Sequence, residues 1–257
     1  MARDVAKELC QWRRMFSTSR ATSMKRESTL ARIARHLRRA VKRRPKGASQ
    51  ARSLNDEGPN RWEQGEIRPH MTAEEEDCYE RLLSQSKSVV EYGIGGSTLM
   101  ALNQRGVTKL VSVESDPCWV ADISQVSVVS SAISRGIARI IHVDIGAVGD
   151  WGKPIDEEKI DQWFKYPAAP WVHIDHPDLI FVDGRFRVAC IIESAMKAQP
   201  HTLIAVHDFW NRPQYHVVLP FLEWHQSCGT LGVFRARPGL NREKAMVVLE
   251  EAQHIWQ

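Results

Sequence analysis

Val89-Val90-Glu91-Tyr92-Gly93-Ile94-Gly95-Gly96-Ser97-Thr98 decides how the chain reads. A β-branched run enters a glycine loop, and a helix-forming segment follows at once. Glycines at such a junction let the backbone turn tightly and let a ligand lie against it. Several kinds of nucleotide-like ligand use loops of this type, so the neighbouring residues must discriminate. No Gly-Lys-Ser/Thr is present, which excludes a P-loop. Thr98 stands where the dinucleotide pattern G-x-G-x-x-G has its third glycine. Glu91 precedes the first glycine by two residues. A carboxylate there disfavours a pyrophosphate and favours a cationic or amine-bearing ligand.

Strands and helices alternate outward from this loop. Thr72-Ala73-Glu74-Glu75 is a capping-box pattern that opens a helix running to about Ser86. Strands are expected at Ser88–Ile94, Lys109–Glu114, Arg139–Ile145, Asp178–Asp183 and Thr202–Asp208. Helices are expected at Ser97–Arg105, Pro117–Arg135, Phe186–Ala198 and Gln214–Trp224. Thr230–Arg237 and Ala245–Glu250 read as a closing pair of strands joined by Pro238-Gly239-Leu240-Asn241. The alternation implies an α/β, Rossmann-like, mostly parallel sheet of seven strands with helices on both faces. The closing hairpin would add an antiparallel strand.

Acids end the successive strands. Glu114 closes the second, nineteen residues after Gly95, where a carboxylate can take both hydroxyls of a ribose. Asp144 ends the third and is offered to an exocyclic amine. Any one of these acids is ordinary as a helix cap. Three along one sheet edge point to a site, because open α/β sheets bind ligands at the carboxyl ends of their strands.

With these residues in view, the sequence resembles the class I S-adenosylmethionine-dependent methyltransferases over about residues 60–257. The resemblance implies S-adenosyl-L-methionine as cofactor. Glu91, Gly93, Gly95 and Gly96 would line its methionine end, Glu114 would bind the ribose and Asp144 the adenine amine. Together with Val113-Glu114-Ser115-Asp116, Val143-Asp144-Ile145-Gly146 and Val182-Asp183-Gly184-Arg185-Phe186-Arg187-Val188-Ala189-Cys190, the glycine loop looks like that of a bacterial group of methyltransferase-like proteins. Methyl transfer to oxygen or nitrogen requires an aligned acceptor and often a base. Asp183 and His207, ending the fourth and fifth strands, are the expected catalytic residues. Arg185, Arg187, Asp208 and Trp151 are expected to contact a small-molecule acceptor, the arginines by holding a carboxylate or phosphate. No metal is expected, since Phe209 follows Asp208 where metal-dependent catechol-type enzymes have an Asp-Asn ending. The Asn/Asp-Pro-Pro-Tyr/Phe signature of enzymes acting on extruded bases is also absent. A cofactor-binding or membrane-associated adaptor without turnover is the competing reading.

Gly146–Pro177 is a long, aromatic-rich insert holding Trp151, Trp163, Tyr166 and Trp171. It reads equally as a lid and as a hydrophobic cluster that ties the loop down. Upstream, residues 1–52 carry sixteen Lys and Arg against three Asp and Glu, leaving nineteen basic and twenty-eight acidic residues in the rest. Leu30, Ile33, Leu37 and Val41 give this arm a narrow apolar stripe. That pattern suits an anionic membrane surface, a nucleic acid, an organellar leader or simple solvation. The expected division is an extension and linker over residues 1–59 and the Rossmann domain over 60–257. The 257-residue chain is 43% hydrophobic and 26% charged, which is ordinary for a globular protein. No apolar run is long enough to span a bilayer, and the expected location is cytoplasmic, either free or peripheral at the membrane. The five cysteines are widely spaced with no C-x-x-C, which argues against a disulfide framework.

Overall fold

The computed structural model describes residues 67–256. The basic arm and the boundary expected near residue 60 lie outside them. Strands β1 (Ser88–Tyr92), β2 (Lys109–Glu114) and β3 (Ala138–His142) run parallel, as do β6 (Leu179–Val182) and β7 (Leu203–Val206). With β8 (Leu222–Cys228) and β9 (Leu231–Ala236) they form a seven-stranded sheet in the order β3-β2-β1-β6-β7-β9-β8. β9 pairs antiparallel to both β7 and β8. A separate two-stranded piece, β4 (Val148–Gly149) with β5 (Lys153–Pro154), lies in the insert.

Alternation along each strand sends successive side chains to opposite faces. Val89, Leu110, Leu179, Phe181, Ala205 and Val233 share one cluster with Tyr79, Leu82 and Leu83 of α1 (Ala73–Ser84). Val90, Tyr92, Val111, Val113, Ile180, Val182, Ile204 and Val206 face the other way. There they pack with Val188, Ile191 and Ile192 of α6 (Arg187–Lys197) and Val248 and Leu249 of α7 (Arg242–Ala252). α2 (Gly96–Asn103) follows the glycine loop. The helix expected over 117–135 divides at Val126 into α3 (Pro117–Gln125) and α4 (Ser127–Ser134). Val126 is extended, with ψ 127°, and its amide bonds Ile123 O.

The closing hairpin stands one element earlier than expected. Cys228-Gly229-Thr230-Leu231 makes its turn, with Gly229 at φ +56°, so Leu222–Cys228 is a strand rather than the end of a helix. Pro213–Phe221 before it is a 3-10 segment. Ala245–Glu250, expected as a strand, lies in α7 instead. Asn241 caps that helix by accepting from Lys244 N at 2.9 Å. Ala245, Val248, Leu249 and Ala252 then form a helical stripe against α6 and the core. Local β-propensity in Met246-Val247-Val248 is overridden by the cap and by this packing.

The insert is the crossover from β3 to β6, and its buried aromatics do the covering that a long helix would do. Trp163 Nε1 donates to Ile145 O at 2.8 Å, Tyr166 Oη to Val113 O at 3.2 Å and Tyr92 Oη to Pro167 O at 2.7 Å. Trp163 and Tyr166 are fully buried in the α6 face, within short α5 (Lys165–Ala168) and the residues before it. Of the two readings of this segment, the hydrophobic cluster describes 160–172.

A further correction concerns the cysteines. Cys78 of α1 and Cys228 at the end of β8 form a disulfide across 150 residues, with Cα atoms 6.4 Å apart. Sequence spacing carries no signal for a bridge between elements so far apart. Closing so long a loop restricts the unfolded chain. Reduction is therefore expected to lower the unfolding free energy by about 2–4 kcal/mol, read from urea titrations with and without reductant. Peptide mapping without reductant should recover residues 78 and 228 in one cross-linked species.

Candidate active site

The carboxyl edge of the sheet gathers two groups of residues. The first surrounds the glycine loop. Glu91 is fully buried on the α1 face and accepts from Ser97 Oγ (2.6 Å), Thr98 Oγ1 (2.8 Å) and Ser112 Oγ (2.7 Å). Burial pushes its carboxyl up to about 7 against these three donors, and Asp183 adds to the rise. Glu91 therefore pins the start of α2 to β1 and β2 from beneath the loop.

The three glycines have separate tasks. Gly93, at φ +88°, lies so near the Gly184 backbone that a Cβ would come within 2.7 Å of it. Gly96 lies under Arg68 and Pro69, where a Cβ would meet Pro69 N at 2.1 Å. Gly95 is the open one: a Cβ there would meet only Trp119, at 3.9 Å. Its amide donates to Thr98 Oγ1 at 2.9 Å and its carbonyl accepts from Thr98 N at 3.1 Å.

Glu114 ends β2 as expected, almost buried. Its Oε1 accepts from Ser115 N (2.6 Å) and Asp116 N (3.0 Å), and its Oε2 from Ile94 N (3.2 Å). Burial raises its pKa, opposed by those backbone donors. The Asp150–Gly152 turn of the insert closes over it. Gly152 has φ +64°, and a Cβ there would stand 2.6 Å from Ser115 Oγ and 3.0 Å from Glu114 Oε1. Trp151, at φ +62° and 67% exposed, meets His70 edge-on with ring centroids 5.1 Å apart. Asp144 is half exposed and ion-paired with Lys159 of the insert, which lowers its pKa.

The second group lies at the ends of β6 and β7. His207 Nδ1 is 3.0 Å from Asp183 Oδ1, and its Nε2 is 3.7 Å from Glu75 Oε2. Arg187 is almost wholly buried. It donates to Gly184 O (3.0 Å), His207 O (2.8 Å) and Asp183 O (2.8 Å), and its Nη2 pairs with Asp183 Oδ1 at 2.7 Å. Asp208, at φ +59°, pairs with Arg212 at 2.5 Å. Burial would raise Asp183, but Arg187 and His207 hold it below the usual carboxylate range. His207 moves the other way: burial disfavours its charge, yet the hydrogen bond and charge of Asp183 raise its pKa. Oδ1 of Asp183 receives both partners.

Glu75 was not singled out in the sequence as a site residue. Its Oε2 completes the capping box with Thr72 N at 2.8 Å. Its Oε1 accepts from Thr230 N (2.7 Å) and Thr230 Oγ1 (2.6 Å) on the β8–β9 turn. Burial raises its pKa, but these hydrogen bonds outweigh that and hold it at about 2. The cap was legible in the pattern; the contacts to Thr230 and His207 arise only from the packing of α1 beside the hairpin.

No family model matches the chain, and no curated protein matches it. Among solved structures, a methyltransferase-like protein of Silicibacter pomeroyi DSS-3 is 28% identical and superposes with a TM-score of 0.65, covering 74% of this chain and 98% of its own. The fold is that of the class I S-adenosylmethionine-dependent methyltransferases. Cofactor-bound Rv0187 from MTB is 15% identical over 81% of this chain and 89% of its own, with a TM-score of 0.43. The fibrillarin pre-rRNA processing protein of Methanococcus jannaschii is 10% identical over 60% and 68%, with a TM-score of 0.41. Among the described residues no cluster suits a metal ion, and no helix is long and apolar enough to cross a membrane.

The two buried glutamates should leave opposite marks on stability. Glu91 titrates near 7 folded against an ordinary 4.5, so its contribution is complete below pH 4.5 and falls as pH rises to 7. Glu75 titrates near 2, so its contribution is complete above pH 4.5 and is lost as pH falls to 2. Urea titrations across pH should show Glu91→Gln flattening the first slope and Glu75→Gln the second.

Proposed function

We propose that this chain is an S-adenosylmethionine-dependent methyltransferase acting on oxygen or nitrogen of a small-molecule acceptor. One observation carries the reading. Asp183 stands at the end of β6, oriented by Arg187 and His207, on the same sheet edge as Gly95 and Glu114. The residues present fit an adenosyl group: Glu114 Oε2 has one long backbone donor and can accept a ribose hydroxyl, and the space at the Cβ position of Gly95 is bounded only by Trp119, at 3.9 Å. Glu91 supports the loop from below in this reading and does not touch the ligand. Asp144 would reach an adenine amine only by exchanging its Lys159 partner.

Bound there, the cofactor supplies an electrophilic methyl group. The chain's own work is to align the acceptor and take its proton. Asp183 Oδ2 receives the proton while Arg187 and the His207 Nδ1–H hold Oδ1. A carboxylate so stabilised is a weak base, which suits an acceptor with an acidic hydroxyl better than an alcohol. Both His207 nitrogens face protein carboxylates, so His207 fixes and polarises Asp183. The second reading, an adaptor without turnover, draws support from the Gly152 turn seated on Glu114.

Calorimetry with S-adenosylhomocysteine and NAD tests the cofactor. S-adenosylhomocysteine should bind in preference to NAD, and Glu114→Ala should weaken it by about 1–3 kcal/mol. With an acceptor found by screening metabolite extracts against labelled cofactor, Asp183→Asn should lower kcat by about 10²-fold or more with cofactor affinity little changed. Full turnover in Asp183→Asn would remove the base from this position. Tight cofactor binding with no transfer to any acceptor would favour the adaptor.

A further inference from the structure

Three arginines stand at the acceptor side of the edge, and two are committed. Arg187 is used up on three carbonyls and the Asp183 carboxylate. Arg212 holds Asp208 and reaches Tyr215 Oη at 3.3 Å. Arg185 differs: among the described residues its guanidinium has neither an ion pair nor a hydrogen bond, although the residue is partly withdrawn from water. We propose that Arg185 is the receptor for an anionic group, a carboxylate or a phosphate, on a ligand held at this edge.

A guanidinium does not deprotonate in a protein, so it cannot relieve its burial by losing charge. Buried charges are normally paired, and an unpaired one is costly. The charged and phenolic groups facing Arg185 are Arg187, Asp183, Tyr166, Tyr215 and Glu114; the Asp183 carboxylate attracts it from beyond ion-pair distance and is held by Arg187 and His207. Arg187 repels Arg185, and Glu114 lies beyond ion-pair distance with its oxygens already accepting backbone amides. The backbone beneath is fixed. Gly184 abuts Gly93, Arg185 O accepts from Cys190 Sγ at 3.4 Å, and Tyr166 Oη lies 3.5 Å from Arg185 N. A guanidinium on this fixed backbone at the end of β6, with no ion pair among the described residues, suits bidentate capture of a planar or tetrahedral anion.

Two sources supply that chemistry: the amino-acid carboxylate of the cofactor, and an acidic group on the acceptor. The assignment of the two rests on the methyltransferase reading, whereas the anion site itself does not. Calorimetry on the full chain separates them with three probes: S-adenosylhomocysteine, 5′-methylthioadenosine, which lacks the amino-acid end, and inorganic phosphate. Arg185→Met, which keeps an apolar stem, should leave 5′-methylthioadenosine unchanged and weaken at least one anionic probe by about tenfold. Loss confined to S-adenosylhomocysteine assigns the anion to the cofactor. Loss confined to phosphate assigns it to the acceptor. Without ligand, Arg185→Met should also melt higher than the parent, since an uncompensated charge has been removed, and Arg185→Lys should not. Unchanged binding of all three probes, or a lower melting temperature in Arg185→Met, overturns the proposal. If the parent binds neither nucleoside, the methyltransferase reading fails, and phosphate binding lost in Arg185→Met still upholds the anion site.

Discussion

Arg187 reaches, from the first turn of α6, the carbonyls of Asp183, Gly184 and His207 and the carboxylate of Asp183. Those carbonyls lie where β6 and β7 end, so their backbone oxygens no longer have a strand partner in the ladder. A buried carbonyl left unpaired is costly, and one planar cation with five donors meets several at once. The consequence is geometric. The two strand ends are tied to one cation, Asp208 Oδ2 lies 3.9 Å from it, and Asp183 Oδ1 is held where His207 Nδ1 meets it. Replacing Arg187 would expose all of these groups together, which is why the residue expected to grip a substrate is better understood as the cation that assembles the edge.

Close backbone approach is the second constraint. Gly93 and Gly184 abut where the loops after β1 and β6 meet, and neither position has room for a Cβ. Tyr166, carried in by the insert, seals the same place, with its hydroxyl 3.2 Å from Val113 O. The insert therefore does two things. Its latter half is core, while its first turn, at Trp151 and Gly152, bears on the Glu114 carboxylate and leaves a large aromatic exposed beside it.

α1 and the β8–β9 hairpin form a clasp on the other side. Glu75 grips Thr230, and three residues further along the same helix Cys78 is bonded to Cys228 on the opposite side of the turn. Cap, turn and covalent link reinforce one another, so the carboxylate facing His207 Nε2 is placed by elements from both ends of the described chain. That position is costly to vary, because Gly229 has a positive φ and a Cβ there would meet Glu75 Oε1 at 2.9 Å.

The glycine loop, the acid closing β2 and the alternation of β-branched and helical segments were enough to read the parallel sheet and its succession of units, and they placed the expected site at its carboxyl edge. These are local signals: a strand running into glycines and a capped helix are written in consecutive residues. The closing hairpin was legible in kind but misplaced, because Gly229-Thr230 gives a weak turn signal and the β-branched run in α7 imitates a strand. What Glu91, Gly93, Gly96 and Arg187 do was decided only by tertiary structure. A carboxylate or guanidinium in a sequence can face a ligand or a neighbouring strand, and the choice depends on which hydroxyls and carbonyls folding brings within hydrogen-bond reach. The same holds for Glu75 and for the Cys78–Cys228 bridge, whose partners lie some 150 residues away and meet only because the last strands return beside the first helix.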